Sequence, residues 1–432
     1  MKRLMHGCVS ISLGVALCNG TPHAEEIPAG TVISAANFAQ LESQTFDGHR
    51  LGDLLTDNYK MWIREHGLTL KLKHAVPLEI DPRYAQYTAQ YAEQVRFNPE
   101  TKKVDNYTAG IPFPTIDVDD PAAGYKAVWN NYYANPVIGD VWIAQGNRPD
   151  AKGMIQTTAK DGVIKVQAGG NYKFLMEGRV SGGPHVLGDG SIHKLALLGI
   201  TYPYDAAGLG LYQVQYNDGR PDGVWVYVKS IRRIRRTSGE GAWMDPQPGL
   251  DLLNDDNQGM DSYPLWYKDF KLLGKRWLLT VVHAPNPNND TRPMEERLDL
   301  SAAPYWNPIN LEWEPREVYV IEATPPPQHP YSKKILYMDA QFPTNHQMEA
   351  YDKKGDLWRI WQQAYCACKT ADGFPSIGYV HSLTVDFQFA RATYIPLMDG
   401  KILVNPPSIK ETDFRPETLV RMASGQLPFN PE

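Results

Sequence analysis

The chain has 432 residues, a formal net charge of −6 at pH 7 and 11% aromatic residues. That length is ample for a large core, and a single β-rich domain can use most of it. The acidic balance argues against nucleic acid as a partner.

The first 24 residues read as a secretory signal. Lys2 and Arg3 form the charged end, Cys8 to Cys18 a short apolar core, and Ala24 the last residue before cleavage ahead of Glu25. The core is too short to span a bilayer, and no other segment approaches ~20 apolar residues. Val15-Ala16-Leu17-Cys18 resembles a lipid-modification box, but Leu17 is large where a small residue is wanted. The expectation is one domain over residues 25–432, soluble in the periplasm after cleavage. Only Cys366 and Cys368 then remain. They sit two apart on a predicted strand, which leaves open a disulfide or two packed thiols.

Ser34 to Gly67 reads as helical, with Leu51, Leu54, Leu55, Met61 and Trp62 at roughly helical spacing. Leu68 to Lys73 alternates like a half-buried strand. Asp81 caps a predicted helix from Pro82 to Phe97. Tyr107 to Pro114 is an extended, apolar loop. Asp120 caps a helix starting at Pro121, with Tyr125, Val128, Trp129 and Tyr132 on one side.

From Val141 onward, short extended runs alternate with Gly, Asp and Pro turns, which predicts a large antiparallel sheet rather than βαβ units. Val224 to Val228 and Arg232 to Arg236 form a predicted hairpin. Val224, Val226 and Val228 share one face; Trp225 and Tyr227 share the other. Strands are also expected at Leu278–His283, Glu317–Thr324, Lys333–Asp339, Gln347–Asp352, Leu357–Cys366, Val385–Ile395 and Lys401–Val404. The fold class is α+β and β-dominated, with helices at the N-terminal end.

Familiar catalytic spacings are missing. There is no Gly-x-Ser-x-Gly elbow, no His-Glu-x-x-His, no dinucleotide fingerprint and no Walker loop. The expectation is a non-enzyme with no cofactor and no metal. Asp255, Asn257 and Asp261 are spaced like alternate calcium ligands, but Met260 and Trp266 stand where an EF-hand needs glycine and an acid. The other reading of this stretch is a solvated acidic loop. Arg232, Arg233, Arg235 and Arg236 put charge on both faces of one strand, as a solvated sheet rim or a docking surface for anions. Trp225, Tyr227, Trp277, Tyr319, Trp358, Trp361 and Phe113 are the candidate lining of an apolar cavity, against ordinary core packing.

Gly110-Ile111-Pro112-Phe113-Pro114, Ile116-Asp117-Val118-Asp119-Asp120-Pro121, Lys126-Ala127-Val128-Trp129-Asn130 and Gly139-Asp140 come in order. They are followed by Val224 to Arg236, Asp255 to Gly259, Trp266 to Lys275, Val318 to Thr324, His329 to Asp339 and Tyr351 to Arg359. This series resembles a proteobacterial envelope family catalogued as a domain of unknown function, number 1329. Lys229-Ser230 departs from the Pro-Gly that members often place there, and Cys366 and Cys368 lie outside the family pattern. The resemblance implies a fold like the outer-membrane lipoprotein carriers (LolA and LolB), a half-barrel sheet around an apolar cavity closed by helices. It also implies partners: a lipid or other hydrophobic molecule, an inner-membrane transporter of the resistance-nodulation-division type, and a companion outer-membrane protein. The leading expectation is a periplasmic lipid carrier. A scaffold of an envelope complex, and a hydrolase built from distant residues, are the alternatives.

Overall fold

The structure is a computed structural model that describes residues 26–134, 139–146, 153–237, 239–247, 250–397, 400–424, 426 and 428–429. The signal segment, with Cys8 and Cys18, lies outside the described residues.

A forked antiparallel sheet dominates the molecule. Strands β1 (Val141–Gly146) and β2 (Met154–Thr158) lie one after the other along the same edge of β3 (Gly162–Leu175). On the other edge, Ala168 to Leu175 of β3 pairs with β4 (Ile192–Tyr202). From there one wing continues through β5 (Gly210–Tyr216), β6 (Gly223–Val228) and β7 (Arg233–Arg236). The other wing is a meander: β8 (Asp269–Thr280), β9 (Glu312–Thr324), β10 (Lys333–Asp339), β11 (Asn345–Tyr351), β12 (Leu357–Lys369), β13 (Pro375–Asp386) and β14 (Arg391–Pro396). It returns to the start, because β14 pairs with β2 and β15 (Gly400–Val404) pairs with β1. The two wings therefore share β3, its first half through β2 and its second half through β1 and β4. Among the described pairings β7 and β8 do not bond to each other, so the curved sheet stays open rather than closing into a barrel. One parallel pairing, between β9 and Leu70–Leu72, makes it mixed.

The fork needs a close backbone approach. A Cβ on Gly169 would run into the carbonyl of Gly199 on β4, and glycine alone avoids that clash.

Helices cover the wings. Helix α1 (Asp57–His66) is capped by the Thr56 side chain, which accepts from the Tyr59 amide, and ends at Gly67 in the left-handed region. The Thr56 hydroxyl also donates to Glu349 on β11 at 2.7 Å, tying cap to sheet. Helix α2 (Pro82–Tyr91) starts as read, with Asp81 as cap, but stops at Tyr91; Arg96–Phe97 is a short strand instead. Helix α3 (Ala123–Tyr133) buries Tyr125, Val128 and Trp129 against the aromatic core over β9, β10 and β11. A further helix, α4 (Glu417–Ala423), packs Leu419 and Met422 on β4 to β6.

Ser34 to Gly67 is not one helix. It contains a helical turn at Phe38–Leu41, a hairpin of Thr45–Phe46 with His49–Arg50, a 3-10 turn and then α1. Asp47 and Gly48 both take positive φ, at 49° and 76°, which is the turn that an Asp-Gly pair favours between paired strands. That turn chemistry overrides the helical spacing of the leucines.

Helix α3 lies tight on the edge of the second wing, where a Cβ on Gly124 would sit 2.5 Å from the carbonyl oxygen of Phe270. Gly124→Val should therefore cost about 1–3 kcal/mol through forced separation of helix and strand. Urea unfolding should show a lower midpoint with an unchanged slope. An unchanged midpoint would show that the helix seat is not tight.

Candidate functional site

The site begins with strand alternation at the fork. On β1, Val141 and Ile143 join Tyr172 and Phe174 of β3 in the core beneath α4, so Trp142 and Ala144 must point the other way. On β4, Leu195 and Leu197 follow the first set and Leu198 the second. The second set lines a cavity of about 80 Å³ between the wings. Its walls are Trp142, Ala144, Met154, Ala168, Leu198, Leu252, Trp361, Tyr365, Tyr379 and Leu397, with a few amide groups, Asn171, Gln258 and Gln363 among them. A water needs roughly 10–15 Å³ of such space, so the cavity takes several water-sized groups. Its walls are mainly apolar, and such a surface favours hydrocarbon over water.

The remaining wall is the irregular segment between β7 and β8. It is held by charge rather than by regular structure. Asp255, Asp256 and Lys334 are all buried. The Lys334 ammonium, on β10, lies 2.7 Å from Asp255 Oδ2 and 2.9 Å from Asp256 Oδ1. It also donates to the carbonyl of Gly259. Asp256 Oδ2 accepts from the Tyr331 hydroxyl at 2.7 Å and from the Leu253 amide at 2.9 Å. Tyr267 donates its hydroxyl to Asp255. On β12, Arg359 donates to the Tyr331 oxygen at 2.7 Å and to Asp386 at 3.2 Å. Burial alone would pull the Lys334 ammonium down, but Asp255 and Asp256 together hold it above the ordinary lysine value. Burial pushes Asp256 the other way, and Lys334 with Arg359 overcomes it, keeping the carboxyl below its usual range. His329 lies tilted against Trp243, 5.0 Å between ring centroids, and its Nδ1 accepts from the Tyr331 amide. Burial lowers its pKa to about 4.

Both readings of the acidic stretch are thereby corrected. Asp255 and Asp256 are neither solvated nor arranged around a calcium ion, because the Lys334 ammonium occupies the position between them. Asp261 turns away to pair with Lys194 on β4. Among the described residues no group of three His, Cys, Asp or Glu side chains is placed to hold a metal.

The expected cavity residues scatter. Trp361 lines the cavity. Trp358 packs edge-on to Tyr331 and donates to Asp386 beside the ionic network. Phe113 and Tyr319 border a separate space of about 30 Å³ under α3, where Asn130 bonds the Phe113 backbone. Trp277 is 39% exposed, stacks on His49 and borders an open groove with Val76 and Pro77. Trp225 and Tyr227 face away from the cavity, into the core under α4, while Val224 looks inward at Asp222 and Trp243. The faces of β6 are thus the reverse of the expectation, because α4 supplies the apolar cover for the aromatic side. Arg232, Arg233, Arg235 and Arg236 are exposed along the outermost strand of their wing; Arg232 has φ 50° in the turn, and Arg236 lies over the Trp225 ring. Cys366 and Cys368 are free thiols on one face of β12, and burial pushes Cys368 up to about 12.

Trp142, Leu198 and Tyr379 are cavity residues that the sequence reading passed over. The alternation of Val141 to Ala144 is the signal for Trp142, and no local pattern singles out Leu198 or Tyr379.

The family described as Protein of unknown function (DUF1329) matches residues 32–420. No curated protein matches the chain. Among solved structures, a domain from Vibrio parahaemolyticus assigned to outer membrane lipoprotein sorting is 16% identical, covering 70% of this chain and 100% of its own, with a TM-score of 0.46. A DUF1329 family protein from Desulfovibrio piger is 18% identical, covering 69% and 99%, with a TM-score of 0.45. A LolA superfamily protein from Nitrosomonas europaea is 11% identical, covering 66% and 93%, with a TM-score of 0.37. Likeness at this distance extends to neither substrate nor partner.

Two outcomes follow from the ionic network. Lys334→Met should lose about 3–5 kcal/mol in urea unfolding, because two buried carboxylates are left without their cation. Adding Asp255→Asn and Asp256→Asn should restore part of it. A loss under about 1 kcal/mol would mean that the pair is not buried as described. The second outcome concerns pH. His329, near 4, and His381, which burial and then Arg297 and Arg292 lower to about 3, stay neutral where an unfolded imidazole takes up a proton, below ~6.5. Their contribution is complete above about pH 6.5 and is lost as pH falls toward 4, by up to ~1.4 kcal/mol per pH unit for each histidine. His329→Gln should flatten that decline, and a midpoint constant from pH 7 to 4 would contradict it.

Proposed function

The chain belongs to the DUF1329 family, and from that premise we propose that it is a periplasmic binding protein or carrier for a lipid or other hydrophobic molecule. The observation that supports this reading is the apolar cavity where the sheet forks, walled by Trp142, Leu198, Trp361 and Leu397. A hydrocarbon chain left in water costs about 0.8 kcal/mol per CH₂, so a molecule that ferries lipid must enclose it. At about 80 Å³ the cavity holds a few methyl-sized groups. A longer chain enters when the wings part along β3, the strand they share. Among the described residues no helix is long and apolar enough to cross a membrane. The carrier would take its load from, or deliver it to, a transporter of the resistance-nodulation-division type and a companion outer-membrane protein. This role assigns no catalytic residue.

Protein purified from its own periplasm should release a hydrophobic molecule on solvent extraction, identified by mass spectrometry. A fluorescent fatty-acyl probe should bind the delipidated protein, and Leu198→Trp or Ala144→Trp should weaken it at least about tenfold, a loss of ~1.4 kcal/mol. Folded protein that yields no extract and binds no probe would remove the carrier reading.

A further inference from the structure

The inner face of the first wing is not apolar along its whole length. Asn171 lines the cavity, and Lys173, two residues on, lies on the same face of β3, about 6.6 Å further along. On β4, Leu198 lines the cavity and Lys194 lies four residues back on the same face. Across the strands Lys173 stands between Ala196 on β4 and Trp142, a wall of the apolar cavity, on β1. A second, smaller cavity, about 20 Å³, opens there, walled by Lys173, Lys194, Tyr132, Ser262 and Asp261. Gln258 is a wall of both cavities, so they adjoin.

Three of the polar groups at this end are donors without acceptors. Lys194 is occupied by Asp261. Among the described residues the Lys173 ammonium has no hydrogen-bond or ion-pair partner, and the Tyr132 hydroxyl and Ser262 Oγ are buried without one. The Tyr132 ring is fixed against His193, 3.9 Å between centroids, and Glu177 holds that histidine, so its hydroxyl is presented in place. Asp140, the next carboxylate along, is committed to the Val180 and Ser181 amides. Burial and the neighbouring Lys194 pull the half-buried Lys173 ammonium down to about 7, and the charges of Asp261 and Asp140 offset only part of that. A buried hydroxyl left unpaired costs free energy that an anionic oxygen would return, and the half-buried Lys173 ammonium would gain a partner in the same anion.

Building on the carrier reading, we propose that the ligand is an anionic amphiphile, its chain in the apolar cavity and its carboxylate or phosphate head group received by Lys173, Tyr132 and Ser262. One strand face then recognises both parts of the molecule: Asn171 marks the chain end and Lys173 the head end.

Binding of dodecyl phosphate, dodecanol and inorganic phosphate to the full chain tests this. Wild-type protein should bind dodecyl phosphate at least tenfold tighter than dodecanol, and millimolar inorganic phosphate should not compete. Lys173→Met should erase the difference by weakening dodecyl phosphate at least tenfold more than dodecanol. Tyr132→Phe with Ser262→Ala, which only removes hydroxyls, should narrow it about threefold and serves if Lys173→Met does not fold. Equal binding of the two amphiphiles, an undiminished preference in these variants, or binding of inorganic phosphate alone would overturn the head-group assignment. Failure of wild type to bind either amphiphile would overturn the carrier reading beneath it.

Discussion

One buried ammonium organises the interior. Lys334 stands near the start of β10, on the same face as Leu336 and Met338, where an unpaired charge would be prohibitive. It is tolerated because Asp255 and Asp256 reach it from a segment with almost no repetitive structure of its own. That segment leaves the end of one wing at β7 and enters the other at β8. By fastening its midpoint to β10, and through Tyr331 to Arg359 on β12, the network fixes how the segment lies across the inner face. A buried ion pair is a poor source of net stability, since desolvation offsets most of the attraction. What it gives here is placement: hydrophobic contacts would let an irregular segment slide, whereas two carboxylates around one ammonium allow a single seat.

The placement has consequences at both ends of the segment. Leu252 becomes a wall of the apolar cavity, Gln258 a shared wall, and Ser262 and Asp261 part of the polar end. The same strands carry a wholly different face outward, where Tyr172, Leu197, Tyr212 and Tyr227 pack under Leu419 and Met422. The outer face is filled core and the inner face is where polar and apolar groups are sorted by position. Strand alternation alone separates the two, one residue at a time.

That alternation was legible in the sequence, and so were the hairpin of β6 with β7, the Asp81-Pro82 helix start and the later meander. Period two tells which residues share a face; it does not tell which cover that face will meet. Trp225 and Tyr227 were placed together correctly and assigned to the wrong side, because the covering helix α4 comes from nearly two hundred residues later in the chain. Lys334 was invisible for a related reason. A lysine in a strand reads as solvent-facing unless its carboxylate partners are known, and these lie 79 and 78 positions upstream. The run of acids at Asp255 to Asp261 looked like one motif, yet its members pair with different wings. Chemistry assembled from distant strands leaves no local spacing to read.

The small size of the apolar cavity bears on how a carrier can work. Enclosing ten methylenes would gain roughly 8 kcal/mol, and a charged head group in a dry donor site would add to that. Held with all of that energy, a ligand would leave slowly, since affinity differences are expressed mostly in the rate of release. A fork that is nearly closed around about 80 Å³ sets an opposing term, because its packed walls must separate before a chain can enter. Closing the fork again recovers those contacts and favours expulsion. In a carrier, parting the walls that carry Trp142, Leu198 and Trp361 would thus act as a counterweight that keeps binding reversible. A larger, preformed cavity would bind more tightly and deliver less.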